Sequence, residues 1–183
     1  GSIGRPALNW DVRIVDEKDE DVGPGEVGEL ILKGNGVMKE YYKNPEKTAE
    51  TIKSGWLYTG DVAKMDEDGF IYLIDRKKDV VISSGENIYP VEVESVLLNH
   101  PKIHDVAVVG IPDGRLGEMV AAVIYPKSGV TLTVEEINEF CEQNLPRYKR
   151  PRRIIFDRIP RNPTGKIEKT KLREKYGGTG VIK

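Results

Sequence analysis

Residues 70–82 read FIYLIDRKKDVVI, and this stretch divides the chain into two parts of different character. Residues 70–74 form an apolar, strand-like run that follows the turn-forming residues 66–69. The charged residues 75–79 interrupt that pattern, and the composition changes after them. We therefore predict two domains, one over residues 1–77 and one over residues 78–183.

The part before the charged stretch is rich in strand patterns and turn residues. It also predicts a short helix that starts at Pro45 and is capped by Asn44. We expect a small antiparallel β-barrel or twisted sheet. Its short strands are predicted at residues 12–15, 29–33, 56–59, 61–65 and 70–74.

In the second part, helical patterns alternate with strand patterns, which predicts a compact α+β domain. Residues 177–183 are expected to be a loose tail. The fold class as a whole is therefore α+β, with the β-barrel-like subdomain first. Strands are expected at residues 80–82, 106–111, 119–125 and 153–156, and helices at 90–99, 134–144 and 169–176.

The composition is that of a globular protein with nearly balanced charge. Lys and Arg number 28 against 30 Asp and Glu, which gives no general reason to expect a nucleic-acid or anionic-membrane partner. The single cysteine, Cys141, excludes an internal disulfide and a cysteine-rich metal site, which favours a reducing compartment. No signal-peptide core or transmembrane stretch is visible, so we expect a cytoplasmic protein. The chain also begins abruptly near a strand, which hints at a missing beginning.

Three motifs follow one another along the chain. They are GWLYTGD at residues 55–61, DRKKD at 75–79 followed closely by SSGENIYPVEVE at 83–94, and PRNPTGKI at 160–167. Together they resemble the late signature motifs of the adenylate-forming superfamily. That superfamily contains acyl-CoA synthetases, aryl-CoA ligases, luciferases and peptide-synthetase adenylation domains. The resemblance covers nearly the whole chain and implies the C-terminal portion of a longer enzyme, most similar to fatty-acyl-CoA and aryl-CoA ligases. It also implies that residues 1–77 are the distal β-rich subdomain of a large N-terminal AMP-binding domain and that residues 78–183 are the mobile C-terminal domain.

The resemblance implies a nucleotide-binding role for Asp61 and Arg76. Asp61 matches the acidic residue that holds the ribose hydroxyls, and a carboxylate can accept hydrogen bonds from both. Arg76 matches an arginine that contacts the nucleotide, for which a permanently charged fork is suited. Taken alone, Asp61 would be read as a turn aspartate and Arg76 as a solvated surface charge.

The resemblance also implies a hinge and a CoA passage. Lys78 matches the residue about which the C-terminal domain rotates between the two half-reactions, and a charged linker residue is the alternative. Gly85, with Ser84 and Glu86 beside it, matches the loop that lines the passage for the pantetheine arm of CoA. A plain turn glycine is the competing interpretation.

Lys166 matches the catalytic lysine that bridges the substrate carboxylate and the nucleotide phosphate during adenylation. Two anions meet in that step, so a mobile cation stabilises the transition state. An ordinary surface lysine is the alternative. The motif is not a P-loop, because position 160 is Pro and position 167 is Ile.

These expectations combine into an ATP-dependent, AMP-forming acid–thiol ligase. Its ligands would be ATP and AMP, CoA, a carboxylic acid and Mg²⁺, with Mg²⁺ bound mainly by the N-terminal region absent from this chain, and no metal ligands are assigned here. By itself the chain is expected to be inactive. The alternative is a non-catalytic scaffold or a module that binds CoA or nucleic acid through the basic residues 147–153. Glu92 and Glu94 are expected to be exposed helix carboxylates, and the acyl substrate is not specified.

Overall fold

The computed structural model describes residues 1–178, which divide into two compact units, one ending at Lys78 and the other beginning at Asp79. The predicted tail at residues 177–183 lies outside the described residues from position 179 onward. No helix within residues 1–178 is long and apolar enough to cross a membrane. The assignment of residues 1–77 to a larger N-terminal domain stays a prediction.

The first unit is a five-stranded antiparallel sheet with one short helix. The strand order is β1-β2-β4, and the two halves of β4 pair with β3 and β5. A bridge between Gly4 and Ile71 also places the segment before β1 against β5, so the sheet is curled as expected. The elements are β1 (Trp10–Val15), β2 (Val27–Gly34), α1 (Pro45–Thr51), β3 (Ile52–Lys53), β4 (Trp56–Met65) and β5 (Ile71–Arg76).

Local sequence explains the elements of the first unit. The Asn44 side chain accepts the Lys47 N–H and Pro45 opens α1, as predicted. The strands bury one set of alternate residues in a small apolar core, whose members include Ile14, Leu30 and Ile71.

Two predictions for this unit were wrong in detail. Residues 56–59 and 61–65 form one strand, because the break expected at Gly60 is a bulge within β4. In addition, β5 continues through Asp75 to Arg76, because these two residues still pair with Val62 and Asp61 of β4. The charged stretch is thus partly strand.

The second unit is a mixed sheet with helices on both faces. β9 pairs antiparallel with β8 and parallel with β10, while β6 and β7 form a hairpin that joins β9 at Gly117. This arrangement confirms the α+β fold class. The elements are β6 (Val81–Ser83), β7 (Glu86–Ile88), α2 (Pro90–Leu98), β8 (Ile103–Asp113), β9 (Gly117–Pro126), α3 (Val134–Asn144), β10 (Arg153–Phe156) and α4 (Lys169–Tyr176).

The long strands β8 and β9 are buried on both faces, which explains their nearly continuous apolar sequences. Val106 and Val108 face a cluster that includes residues of α2 and α3. Ala107 and Val109 face the opposite cluster, to which α4 contributes Leu172. The capping box between Thr133 and Glu136 fixes the start of α3 at the predicted residue. The sheet therefore forms a rigid platform for the loops at its ends.

Glu94 is not the exposed carboxylate that the sequence predicts. Its side chain is 12% exposed, and it accepts the Val108 N–H at 2.8 Å. Since β8 pairs only with β9 within residues 1–178, that N–H would otherwise face an open strand edge. Lys169 Nζ lies 2.8 Å from the Glu94 carboxylate but makes no well-aligned hydrogen bond with it. Lys169 and Glu94 therefore attract each other as an ion pair.

Candidate functional site

Asp61 and Arg76 come together on the neighbouring strands β4 and β5. They are directly paired in the strand register, and Arg76 Nε lies 3.0 Å from Asp61 Oδ1. Arg76 Nη1 also donates to the Thr59 carbonyl at 3.2 Å. The side chains are 53% exposed for Arg76 and 28% for Asp61, so both are accessible to a ligand.

A bulge in β4 sets the direction of Asp61. Between the pairs formed by Tyr58 and Val62 with β2, three residues of β4 lie opposite Leu30 alone. Gly60 adopts φ +72° there, a left-handed conformation that favours glycine. The Thr59 hydroxyl donates to the Leu30 carbonyl at 2.7 Å and accepts the Asp61 N–H at 3.0 Å. The bulge is therefore fixed, and it turns Asp61 out of the regular strand pattern.

An open groove of about 610 Å³ lies beside Arg76 in the first unit. Cationic side chains outnumber carboxylates among its lining residues, which favours an anionic ligand. The cations are Lys47, Lys53, Arg76, Lys77 and Lys78, and the carboxylates are Glu29 and Glu50.

Lys78 is an exposed residue with an anchored neighbour on each side. Lys77 Nζ lies 2.7 Å from Glu29 Oε2 of the first unit, and this glutamate side chain is only 10% exposed. Arg173 Nη2 lies 2.7 Å from Asp79 Oδ1 of the second unit. Within residues 1–178, the Lys78 ammonium makes no ion pair or hydrogen bond.

Ser84, Gly85 and Glu86 lie together at the exposed end of the β6–β7 hairpin. Ser84 has φ 53° and Gly85 has φ 84°, as a two-residue type I′ turn requires. A methyl group built on Gly85 would meet nothing within 4 Å, so this backbone is open to close approach. No contact described in residues 1–178 joins this turn to the loop of Lys166.

Lys166 is exposed at the end of a tight loop in the second unit. Isolated pairing between Arg161 and Ile167 closes the loop, and the Lys166 N–H donates to Asn162 Oδ1 at 2.8 Å. Within the described part of the chain, its ammonium makes no ion pair or hydrogen bond. The backbone is thus held while the charged group is free.

Sequence reasoning did not identify several residues that shape these sites. Glu29 forms an ion pair with Lys77 and accepts the Gly60 N–H at 3.1 Å. Both contacts depend on the pairing of β2 with β4, which the sequence around Glu29 does not reveal. Arg161 and Asn162 lie within the motif PRNPTGKI at residues 160–167, close in sequence to Lys166. That closeness was the one sequence signal that could have identified them. Within residues 1–178, no three His, Cys, Asp or Glu side chains are arranged to hold a metal ion.

Comparison with known proteins gives two family matches. Residues 92–166 match the AMP-binding enzyme C-terminal domain, and residues 1–42 match the AMP-binding enzyme family. The chain is also 44% identical over 179 residues to the long-chain-fatty-acid–CoA ligase of Escherichia coli O6:H1. The chain belongs to the AMP-binding enzyme family. This match covers 97% of the chain and 32% of the ligase, so the chain spans about a third of the length of such relatives.

Other members of the AMP-binding family are similar to nearly the same degree. A 2-succinylbenzoate–CoA ligase of a Geobacillus strain is 43% identical, over 95% of this chain and 35% of its own length. The ATP-bound crystal structure of MatB from Rhodopseudomonas palustris has a TM-score of 0.91 at 35% identity, covering 97% of this chain and 36% of that one. Lys166 is the last residue of the matched C-terminal domain, whereas Asp61, Arg76 and Gly85 lie between the two matched ranges.

Proposed function

We propose that this chain is the C-terminal third of an AMP-forming acyl-CoA synthetase. The enzyme would activate a carboxylic acid with ATP and transfer the acyl group to CoA. The observation that supports this most is the pairing of Asp61 with Arg76 on fixed strands, in a family member that also presents an unpaired Lys166 on a closed loop. A fatty acid is one candidate substrate, but relatives named for different acids are almost equally similar.

In the nucleotide site, we assign Asp61 to the ribose hydroxyls and Arg76 to the nucleotide. A carboxylate accepts hydrogen bonds from both hydroxyls of a vicinal diol. Arg76 neutralises the carboxylate in the absence of ligand and keeps further donors for phosphate or hydroxyl oxygens. The cationic groove beside Arg76 supports an anionic ligand at this place.

Lys166 is assigned to the adenylation step. A carboxylate oxygen of the acid attacks the α-phosphorus of ATP, the new P–O bond forms, and pyrophosphate leaves with the electrons of the broken P–O bond. The two reacting groups are both anionic, so a cation between them lowers their repulsion and orients them. The free ammonium of Lys166 on a fixed backbone suits this role.

Mg²⁺ is proposed as the ion that accompanies ATP. The family relation supports it, and Mg²⁺ is bound in such sites by phosphates with one or two carboxylates. Since residues 1–178 contain no cluster of three ligand side chains, we assign no Mg²⁺ ligand in them.

For the second step, we propose rotation about Lys78 and entry of CoA past Ser84, Gly85 and Glu86. The CoA thiol loses its proton to solvent and its sulfur attacks the acyl carbonyl carbon. The C–S bond of the thioester forms, and AMP leaves with the electrons of the broken C–O bond. Anchoring of Lys77 and Asp79 to their own units supports a change of backbone angles at Lys78 itself. The open backbone at Gly85 supports a closely approaching pantetheine arm.

The alternative of a nucleic-acid module is not favoured, because much of the basic cluster at residues 147–153 is already engaged. Lys149 donates to Glu92 at 2.6 Å, and Arg150 donates to the Leu145 carbonyl at 3.0 Å. Arg153 donates to the Tyr176 carbonyl at 3.1 Å. These side chains stabilise the fold rather than form a free cationic surface.

The proposal is tested by separating the two half-reactions in the full-length enzyme that contains this chain. Lys166→Ala should greatly reduce acyl-adenylate formation and leave thioester formation from preformed adenylate nearly intact. Lys171→Ala, a surface lysine of α4 paired with Glu168, is the matched control and should leave both steps unchanged. Equal losses in both steps for Lys166→Ala would contradict the assignment.

A further inference from the structure

The loop that carries Lys166 is fixed by the side chain of Asn162. Its Oδ1 atom accepts from the Thr164 N–H at 3.1 Å, the Thr164 hydroxyl at 2.8 Å and the Lys166 N–H at 2.8 Å. The Asn162 N–H in turn donates to the Lys166 carbonyl at 2.9 Å. These bonds define the shape of the loop, but they do not attach it to the sheet.

Ile159 and Ile167 pack the base of the loop against the core, and Arg161 provides the polar attachment. Its Nη2 atom lies 2.9 and 2.8 Å from the two carboxylate oxygens of Asp105, and its Nε lies 3.2 Å from Asp105 Oδ2. Its Nη1 donates to the Gly165 carbonyl at 2.7 Å. One guanidinium therefore joins the residue immediately before Lys166 to a carboxylate outside the loop, which a lysine with a single nitrogen could not reproduce.

Asp105 is a rigid partner for this contact. It belongs to β8, whose following residues Val106 to Ile111 are fully buried in the second unit. Its side chain is 22% exposed, and Oδ1 also accepts the Val106 N–H at 3.0 Å. The carboxylate is thus fixed on the long β8–β9 strand pair, and the loop is fixed to it.

We infer that Asp105 and Arg161 are positioning residues for Lys166 in adenylation. This inference rests on the proposed role of Lys166. A lysine side chain is long and flexible, so the place of its ammonium depends on where its backbone is held. A displacement of about 1 Å in a reacting group can cost about a hundredfold in rate. Neither positioning residue needs to touch the substrate.

The experiment measures both half-reactions of the full-length enzyme with Asp105→Asn and Arg161→Lys. Asp105→Asn keeps the side-chain shape but removes the charge, and Arg161→Lys keeps the charge but removes the fork. Each should lower kcat of ATP–pyrophosphate exchange by about ten- to a hundredfold, with KM for ATP changed less than about threefold. Thioester formation from preformed adenylate should stay within about twofold, since Lys166 is not used there.

A matched control is Glu142→Gln, which removes the ion pair with Arg150 at the end of α3. None of the described contacts of these two residues involves the Lys166 loop. This variant should keep both half-reactions, while melting temperatures of all variants show whether they fold. If Asp105→Asn does not fold, Arg161→Lys carries the test.

A double variant distinguishes positioning from general destabilisation. If Asp105 acts through Lys166, adding Asp105→Asn to Lys166→Ala should cause no further loss of exchange. Additive losses, equal losses in both half-reactions, or exchange within twofold of the unmodified enzyme would each overturn the inference. If Lys166→Ala leaves exchange intact, the proposed function fails. If Lys166→Ala abolishes exchange but the Asp105 and Arg161 variants leave it intact, only the positioning role fails.

Discussion

Replacing Asp61 by alanine separates a structural role of the Asp61–Arg76 pair from a nucleotide-binding one. The Arg76 side chain is 53% exposed and that of Asp61 is 28% exposed, so water can solvate the guanidinium after the change. Exposed ion pairs contribute about 0–1 kcal/mol to the free energy of unfolding. Asp61→Ala should therefore shift the melting temperature by no more than about 4 °C.

The expected effect on nucleotide binding is larger. A hydrogen bond to a charged group contributes about 1.5–3 kcal/mol when it is not replaced. Asp61→Ala removes the acceptor for both ribose hydroxyls. Counting only one of these two hydrogen bonds, the KM for ATP should rise by about ten- to 150-fold. The melting temperature and the KM for ATP in pyrophosphate exchange would be measured on the full-length enzyme.

Asp21→Ala is the matched control for this change. Arg13 Nε lies 2.6 Å from Asp21 Oδ1 in the same unit, and the aspartate side chain is 65% exposed. This variant should show a similarly small melting shift and an unchanged KM for ATP. A KM for Asp61→Ala within twofold of the original, or an equal rise for Asp21→Ala, would refute the nucleotide assignment.

Three further predictions concern the fold. Burial raises the pKa of the Cys141 thiol from 9.0 to about 11. A thiol reagent at pH 8 should therefore label the native protein at least about a hundredfold more slowly than the unfolded protein. Equal labelling rates would contradict the burial of Cys141. Hydrogen bonds from Lys175 and Tyr176 lower the pKa of Asp157 from 3.8 to about 2, so their stabilisation is present above pH 4 and is lost as the pH falls toward 2. Tyr176→Phe should therefore raise the midpoint pH of acid unfolding, and an unchanged midpoint would count against it. Glu29→Gln should lower the melting temperature more than Asp61→Ala, because the Glu29 carboxylate is only 10% exposed; a smaller shift in a melting curve would oppose this.

Most elements of the fold could be predicted from local sequence. The helix at residues 134–144 and the strand at 153–156 have the predicted bounds, because their caps and apolar spacing are local signals. The prediction split β4 into two strands at Gly60. The bulge at that position depends on the pairing of β4 with β2, which local sequence does not show. Glu94 was expected at the surface for a similar reason, because the open edge of β8 that it covers is a tertiary feature.

The candidate site shows the same division between local and tertiary information. Motif resemblance predicts site roles for Asp61, Arg76 and Lys166, and the structure places the first two in contact. The contact between Arg161 and Asp105 joins residues 56 positions apart and has no local signal. Supporting residues of this kind are visible only once the strands are in register.

Carboxylate-dependent ATP–pyrophosphate exchange would show whether the enzyme that contains this chain forms an acyl-adenylate. It would be run on the full-length enzyme that contains this chain, with short, medium, long and aromatic acids, beside Lys166→Ala. We expect exchange with at least one class of acid and its collapse in the variant. No exchange with any acid, or exchange that survives in Lys166→Ala, would contradict it.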